Sequence, residues 1–381
     1  MKIDPSMMAS MQAALNVLQT DGPQAAAAAL RRGWVPAPRA LSSANSLLKA
    51  WGPGSSLPAA ARGLDGFSPF STPSVFPNSP SDAPGGVGWQ GLPGRFESRL
   101  FSSEAGQRAY KVYIPAAQPS KPMPLLVMLH GCAQDADDFA AGTQMNALAE
   151  TTPCVIVYPI QPQSANHSKC WNWFKPSDQT RGAGEPALIA GITRAAMAEF
   201  GADPARVYVA GLSAGGAMAA ILIQAYPDLY AAAGVHSGLP AGSARDLPSA
   251  LAAMRGGLRA KSAAPHAPAR PVIVFHGDAD QTVHPSNAAD ILRDFGAAAQ
   301  RSEEGAATVE QSSRSSLVER FVAANGVEAE RWTIRGAPHA WSGGSPRGSY
   351  TDPRGPDASA LMMRFFLAHP LPAEHAPRPE S

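Results

Sequence analysis

Five consecutive residues, Gly211, Leu212, Ser213, Ala214 and Gly215, constrain this chain more than any other stretch, because they form a G-x-S-x-G box between two runs of different periodicity. Upstream, Arg206 to Ala210 is β-branched and aromatic, the pattern of a buried parallel strand. Downstream, Ala214 to Ala225 is Ala, Met, Ile and Leu without Pro, the pattern of a helix. A box in that context predicts a sharp strand-to-helix elbow. A serine at such an elbow sits at a strained backbone conformation with its Oγ pointing out from the sheet. The flanking glycines are small because strand and helix pass too closely for a Cβ. The same turn puts the Ala214 N–H at a helix start, where unpaired donors and the dipole favour a developing oxyanion. The competing reading is an ordinary turn serine, which the flanks disfavour.

A serine nucleophile needs a base and an orienter for that base, expected in the order Ser, acid, His, each in a loop after a strand. Pro271 to Phe275 is a buried-strand pattern that runs into a polar turn, His276 to Val283, carrying Asp278 and Asp280. Asp280 is the expected acid. Asp278 is its competitor, since strand-end loops often use one Asp to bind their own backbone. The expected base is His339, which follows the strand-like Arg331 to Arg335 in a loop of small residues and glycines. His266, His369 and His375 fall in Pro-rich or tail segments, and His167 and His284 read as solvated loop residues. His236 reads as a strand end, while His130 and His276 end strands before glycines, where a structural hydrogen bond suits them. The second oxyanion donor is expected from the loop after Leu125 to Leu129, at the Cys132 backbone N–H beside that of Ala214. A plain strand-ending turn is the alternative there. These parts add up to acyl transfer through an acyl-enzyme, for which no cofactor is required.

Strand-like runs at Arg95 to Phe101, Ala109 to Ile114, Val155 to Tyr158 and Ala231 to His236 join those already named, with helical patterns between several of them. Such alternation predicts an α/β fold, a mostly parallel doubly wound sheet with helices on both faces. Asn325-Gly326, between Leu317 to Val322 and Glu328 to Ile334, signals a type I′ hairpin, so the His339 loop should follow an antiparallel pair. Ala297 to Ser316 reads as a solvated loop, Arg245 to Arg270 as a helix followed by a loose linker, and Leu361 to Leu367 as an apolar helix. Four segments are expected: a helical hairpin over 1–33, a Pro/Ser/Gly-rich linker over 34–88, the catalytic domain over 89–370 and a Pro-rich tail over 371–381.

With 381 residues, 45% of them hydrophobic, the chain can bury one large core. Its 31 basic and 30 acidic residues leave a net charge of +1 without a basic cluster, so neither nucleic acid nor an anionic membrane is expected as a partner. Cys132, Cys154 and Cys170 lack metal-ligand spacing, so no metal site is expected. Asp4, Gln12, Asn16 and Gln19 interrupt the apolar character of the first residues, and no segment approaches a membrane span. The expectation is a soluble, cytoplasmic protein, with secretion as the alternative.

The chain resembles the poly(3-hydroxybutyrate) depolymerase family of serine esterases, which are α/β-hydrolases with feruloyl and acetylxylan esterase relatives. The resemblance covers about residues 95–370 and rests on Leu129-His130-Gly131-Cys132, Cys170-Trp171-Asn172-Trp173-Phe174, the G-x-S-x-G box, the His276 to Val283 turn and His339-Ala340-Trp341-Ser342-Gly343-Gly344. It implies a Ser213, Asp280, His339 triad, an oxyanion donor at Cys132, and a carboxylic ester hydrolase acting on hydroxyalkanoate polymer or oligomers. A feruloyl or acetylxylan-type carbohydrate esterase is the alternative. A reading from another class is a non-catalytic protein that binds the surface of polymer granules. Cys132 and Cys170 both fall in active-site segments by resemblance, which makes a disulfide between them an option. Two free thiols are the favoured reading for a cytoplasmic protein. Trp171, Trp173 and Trp341 are candidates for the substrate-cleft wall, with plain core as the competing reading for each.

Overall fold

Leu125–Leu129 has no polar residue to offer solvent on either side, and in the computed structural model of the protein both of its faces are covered. Leu125, Val127 and Leu129 enter one apolar cluster; Leu126 and Met128 enter another. The same alternation divides Val207 and Val209 from Tyr208 and Ala210, and Val272 and Val274 from Ile273 and Phe275. A sheet buried on both faces follows, and helices supply the covers.

The structure describes residues 91–117, 119–256, 270–295, 300–307, 312–323 and 326–372. The chain divides into two units, Met1–Ala83 and Pro84–Ser381, and every described residue belongs to the second. The expected hairpin over 1–33, the whole linker over 34–88, and residues 373–381 of the tail lie outside the described residues.

The strands are β1 (Arg95–Ser103), β2 (Gly106–Ile114), β3 (Leu125–Leu129), β4 (Val155–Pro159), β5 (Val207–Leu212), β6 (Ala232–His236), β7 (Val272–Gly277), β8 (Gln300–Ala307), β9 (Ser316–Val322) and β10 (Glu328–Ile334). They form one sheet in the order β1-β2-β4-β3-β5-β6-β7-β10-β9-β8. The six strands from β4 to β10 run parallel, and antiparallel pairs extend the sheet at both ends. The main helices are α1 (Ala136–Thr143), α2 (Met145–Thr151), α3 (Gly184–Phe200), α4 (Ala214–Ala225), α5 (Leu247–Met254), α6 (Ser286–Phe295) and α7 (Ala358–Ala368). Ile189 of α3, Met218 of α4, Ala250 of α5 and Ile291 of α6 pack on one face. Phe139 of α1, Met145 of α2 and Phe366 of α7 pack on the other. None of the described helices is long and apolar enough to cross a membrane.

The expected solvated loop at Ala297 to Ser316 is corrected by β8, which pairs antiparallel with β9 at the sheet rim. Its polar sequence carries no alternation to announce a strand. An edge strand draws its stability from one ladder of backbone hydrogen bonds, and charge on such an edge is a common guard against aggregation.

The register brings the chemistry to one edge. Leu129 stands opposite Gly211, Leu212 opposite His236, His236 opposite Phe275, and His276 opposite Thr333. Every loop that carries a proposed site residue therefore leaves the sheet at the carboxyl ends of the parallel strands, where ligands bind in open α/β sheets.

Candidate active site

The elbow forms where β5 meets α4. Ser213 sits there at φ 58°, ψ −119°, a conformation costly for a residue with a Cβ, and it is part-exposed between buried Leu212 and Ala214. Close approach explains the two glycines: a Cβ on Gly211 would lie 2.4 Å from the Gly215 carbonyl carbon, and one on Gly215 would lie 2.1 Å from the Leu129 oxygen. The Ser213 N–H donates to the His236 carbonyl at 2.9 Å, and the Ser213 carbonyl accepts the Ala217 N–H at 2.9 Å. The hydroxyl makes no capping bond to α4, unlike that of an ordinary turn serine at a helix start. Ala214 opens α4, so its N–H has no acceptor within the helix.

Residues 130–134 pass directly over this elbow. A Cβ on Gly131 would sit 3.7 Å from that of Ser213, which carries Cys132 alongside the serine. The loop is held from several sides. Its Gly131 N–H donates to Gln134 Oε1 at 2.9 Å, while the Gln134 amide donates to Asp138 at 2.9 Å and to the Ser349 carbonyl at 3.1 Å. The Ala133 N–H donates to the Ser168 carbonyl at 2.8 Å, the Trp171 indole donates to the His130 carbonyl at 3.1 Å, and a disulfide joins Cys132 to Cys170. His130 is buried below, its Nε2 accepting the Gln161 N–H at 3.1 Å. Burial pushes its pKa down to about 4.

The disulfide corrects the favoured expectation of two free thiols. The two cysteines lie 38 residues apart in sequence, and only the folding of the Cys170 loop over residue 132 brings them together. Glu185 anchors that second loop: its buried carboxylate accepts the Asn172 N–H at 2.7 Å, the Asn172 amide at 2.6 Å and the Gln161 amide at 2.5 Å. Burial raises the Glu185 pKa, partly offset by those donors.

On the other side of the edge, the two carboxylates of the β7 loop take different work. Asp280 Oδ2 accepts from His339 Nδ1 at 2.7 Å, and Oδ1 accepts the N–H groups of Thr282 and Val283, each at 2.9 Å. His276 Nε2 donates to the Val283 carbonyl at 2.8 Å and lies 3.4 Å from Asp280 Oδ2. Burial alone would raise the Asp280 pKa. The hydrogen bonds from His276, His339 and the Val283 amide outweigh it and hold the carboxyl well below the usual carboxylate range. Asp278 instead accepts the Gly336 N–H at 2.6 Å and Arg335 at 3.3 Å, fastening the start of the His339 loop, which turns at Gly336 with φ 62°. Two residues apart, one carboxylate orients the imidazole and the other shapes the loop that carries it.

Of the three candidate tryptophans, Trp171 and Trp341 are fully buried, which favours the core reading of each over the cleft-wall reading. Trp341 donates to Ser359 Oγ at 3.0 Å and packs between His236 and Phe139, so its nearness to His339 in sequence reflects the core beneath the loop. Trp173 is also buried and packs edge-on against part-exposed Phe174, with ring centroids 5.8 Å apart. Sequence reasoning also missed Gln134, Glu185 and the double use of His236. Their signal is weak, because a polar residue near an active-site motif reads as solvated until the fold buries it. Among the described residues, no cluster of His, Cys, Asp and Glu is placed to hold a metal.

A serine at a strained elbow, helix-start and loop amides around it, and an imidazole with its Nδ1 on a buried carboxylate are the parts that acyl transfer uses. Comparison with known proteins points the same way. A family model described as "Esterase PHB depolymerase" matches residues 108–301. The chain is 34% identical over 206 residues to a poly(3-hydroxyalkanoate) depolymerase C from Paucimonas lemoignei, covering 51% of this chain and 49% of that one. It is 34% identical over 128 residues to a feruloyl esterase B from Neurospora crassa, covering 33% and 42% respectively. Among solved structures, an acetyl xylan esterase from Aspergillus awamori superposes with a TM-score of 0.53 at 20% identity, over 64% of this chain and 94% of that one. That likeness establishes the α/β-hydrolase fold. The chain spans about half or less of the length of these two curated relatives.

Proposed function

The chain belongs to the PHB depolymerase esterase family, and from that premise we propose that it is a serine esterase hydrolysing 3-hydroxyalkanoate esters, as polymer or as oligomers. The observation that carries the proposal is the 2.7 Å bond from His339 Nδ1 to buried Asp280, at the same carboxyl edge of the sheet as strained Ser213. With its Nδ1 proton on Asp280, His339 keeps the Nε2 lone pair free to act as base. His339 takes the Ser213 proton as Oγ attacks the ester carbonyl, and the Cys132 and Ala214 amides receive the oxyanion. The imidazolium then protonates the leaving alcohol. Water, activated by the same imidazole, releases the acid and restores Ser213. Trp173, beside Phe174, remains the candidate for apolar contact with substrate.

A feruloyl or acetylxylan-type esterase is the second reading, favoured by the feruloyl esterase relative and the acetyl xylan esterase neighbour. The Cys132–Cys170 disulfide supports a secreted protein over a cytoplasmic one, because cytosolic thiol buffers keep such pairs reduced. The test is acid release from amorphous polyhydroxybutyrate and from hydroxybutyrate oligomers by the native protein and by Ser213→Ala. Release abolished by the substitution supports the proposal, and native activity confined to feruloyl or acetyl esters moves the assignment to the second reading. An effect on granules that survives Ser213→Ala would instead favour the non-catalytic granule-binding reading.

A further inference from the structure

His236 is the last residue of β6 and has no exposed surface. Its backbone carbonyl accepts the Ser213 N–H at 2.9 Å. Its ring reaches the other way, with Nε2 accepting the Ser342 N–H at 3.0 Å, three residues beyond His339. An acceptor at Nε2 puts the ring proton on Nδ1, which lies 3.2 Å from Ser237 Oγ. The imidazole is fixed in plane by two aromatic plates: Phe275 with centroids 5.8 Å apart and tilted 13°, and Trp341 at 5.2 Å and 26°. One buried residue therefore holds the nucleophile's backbone with its own backbone and the base loop's backbone with its ring.

We propose that His236 is a positioning residue that sets the relation between Ser213 and His339, its carbonyl locating the elbow and its imidazole locating the base loop. The inference rests on the reading of those two residues as nucleophile and base. Histidine suits the task because it combines a flat ring for the aromatic stack with an in-plane acceptor. Phenylalanine offers only the first, and glutamine only the second. Burial keeps the ring neutral and accepting by pushing its pKa down to about 3, and the neighbouring histidines, His276 and His339, push it the same way against the opposing pull of Asp280.

Steady-state hydrolysis of a nitrophenyl ester, normalised to active sites titrated with a phosphonate, tests this in His236→Phe and His236→Gln. A loss of alignment without a loss of substrate contact predicts that His236→Phe lowers kcat roughly 10- to 100-fold with KM within about threefold of native, and that His236→Gln recovers part of the loss. On a His339→Ala background, His236→Phe should change nothing further, because no base remains to be placed. The proposal is overturned if His236→Phe keeps native kcat, or if its loss is undiminished on the His339→Ala background. If His236→Phe yields no folded protein, His236→Leu replaces it in the same comparison. Native activity in Ser213→Ala and His339→Ala alone would instead overturn the reading of the site itself, so the two failures are distinct.

Discussion

The two sides of the catalytic edge are built differently. The proposed oxyanion side, residues 130–134 with the Ser213 elbow, is held by a disulfide, an indole N–H, a side-chain amide and glycines in backbone contact. The proposed base side, the Asp280 and His339 loops, is held by hydrogen bonds to carboxylates, with no covalent tie among its described residues. Donors that must already face a charge as it develops gain from rigidity, since any reorganisation would be added to the barrier. A group that accepts and returns a proton needs an electrostatic partner, and such partners respond to charge. The two sides should therefore fail under different insults.

The largest expected effect is on Ser213→Ala, which removes the proposed nucleophile without touching either scaffold. Turnover should fall by about 10⁵-fold or more while thermal stability is unchanged, as read by ester hydrolysis and calorimetry. Asp280→Asn comes next, at roughly 10⁴-fold in kcat, because an amide does not hold the imidazole in its working tautomer. Asp278→Asn should cost only about tenfold, through the Gly336 turn, since the imidazole keeps its own carboxylate. Equal losses at the two positions would erase the division of labour between them.

Reduction of the disulfide by a dithiol, or the pair Cys132→Ser with Cys170→Ser, should lower stability by about 2–4 kcal/mol in urea unfolding. The accompanying fall in kcat should be about tenfold, with KM retained, because the oxyanion donors loosen while the base side stays intact. Native kcat in the reduced enzyme would mean that the hydrogen bonds of Trp171, Ala133 and Gln134 suffice, and the contrast would lose its covalent arm.

A separate effect, on stability rather than on turnover, is that of pH. His130 and His236 are pushed from the ordinary 6.5 down to about 4 and about 3 by burial. Below pH 6.5 the unfolded chain takes up protons that the folded state refuses, so stability falls as pH drops from 6.5 toward 4. Each histidine contributes a slope approaching about 1.4 kcal/mol per pH unit. Asp280, held below its ordinary range, adds a further loss below about pH 4. Urea midpoints measured between pH 4.5 and 7.5 should show this slope, and His236→Phe should lower it by one proton. An unchanged slope in that variant would mean that His236 is not the neutral ring described.

Much of this was legible in the sequence because it depends on neighbours along the chain. A strand pattern, a glycine box and a helix pattern in succession predict an elbow whose geometry then appears at Ser213 with φ 58°. Strand-like runs alternating with helical runs predict a mostly parallel sheet, and such a sheet collects the loops after its strands at one edge. The preference for Asp280 over Asp278 was only weakly legible. Both are two-residue neighbours in one turn, and only the fold aims one at His339 and the other at the Gly336 amide. Trp341 looked like a cleft wall from its place beside His339, and burial against His236 and Phe139 made it core.

The sequence by itself determined the elements, the strand-end loops and the chemistry each loop carries, since propensity, turn residues and hydrophobic period act over a few residues. Only the tertiary structure decided which carboxylate meets the imidazole, that Cys132 and Cys170 are bonded, and that His236 ties Ser213 to the His339 loop. Those pairings join residues from 23 to 106 positions apart, and the contact energy that selects them exists only after the whole sheet has closed the distance.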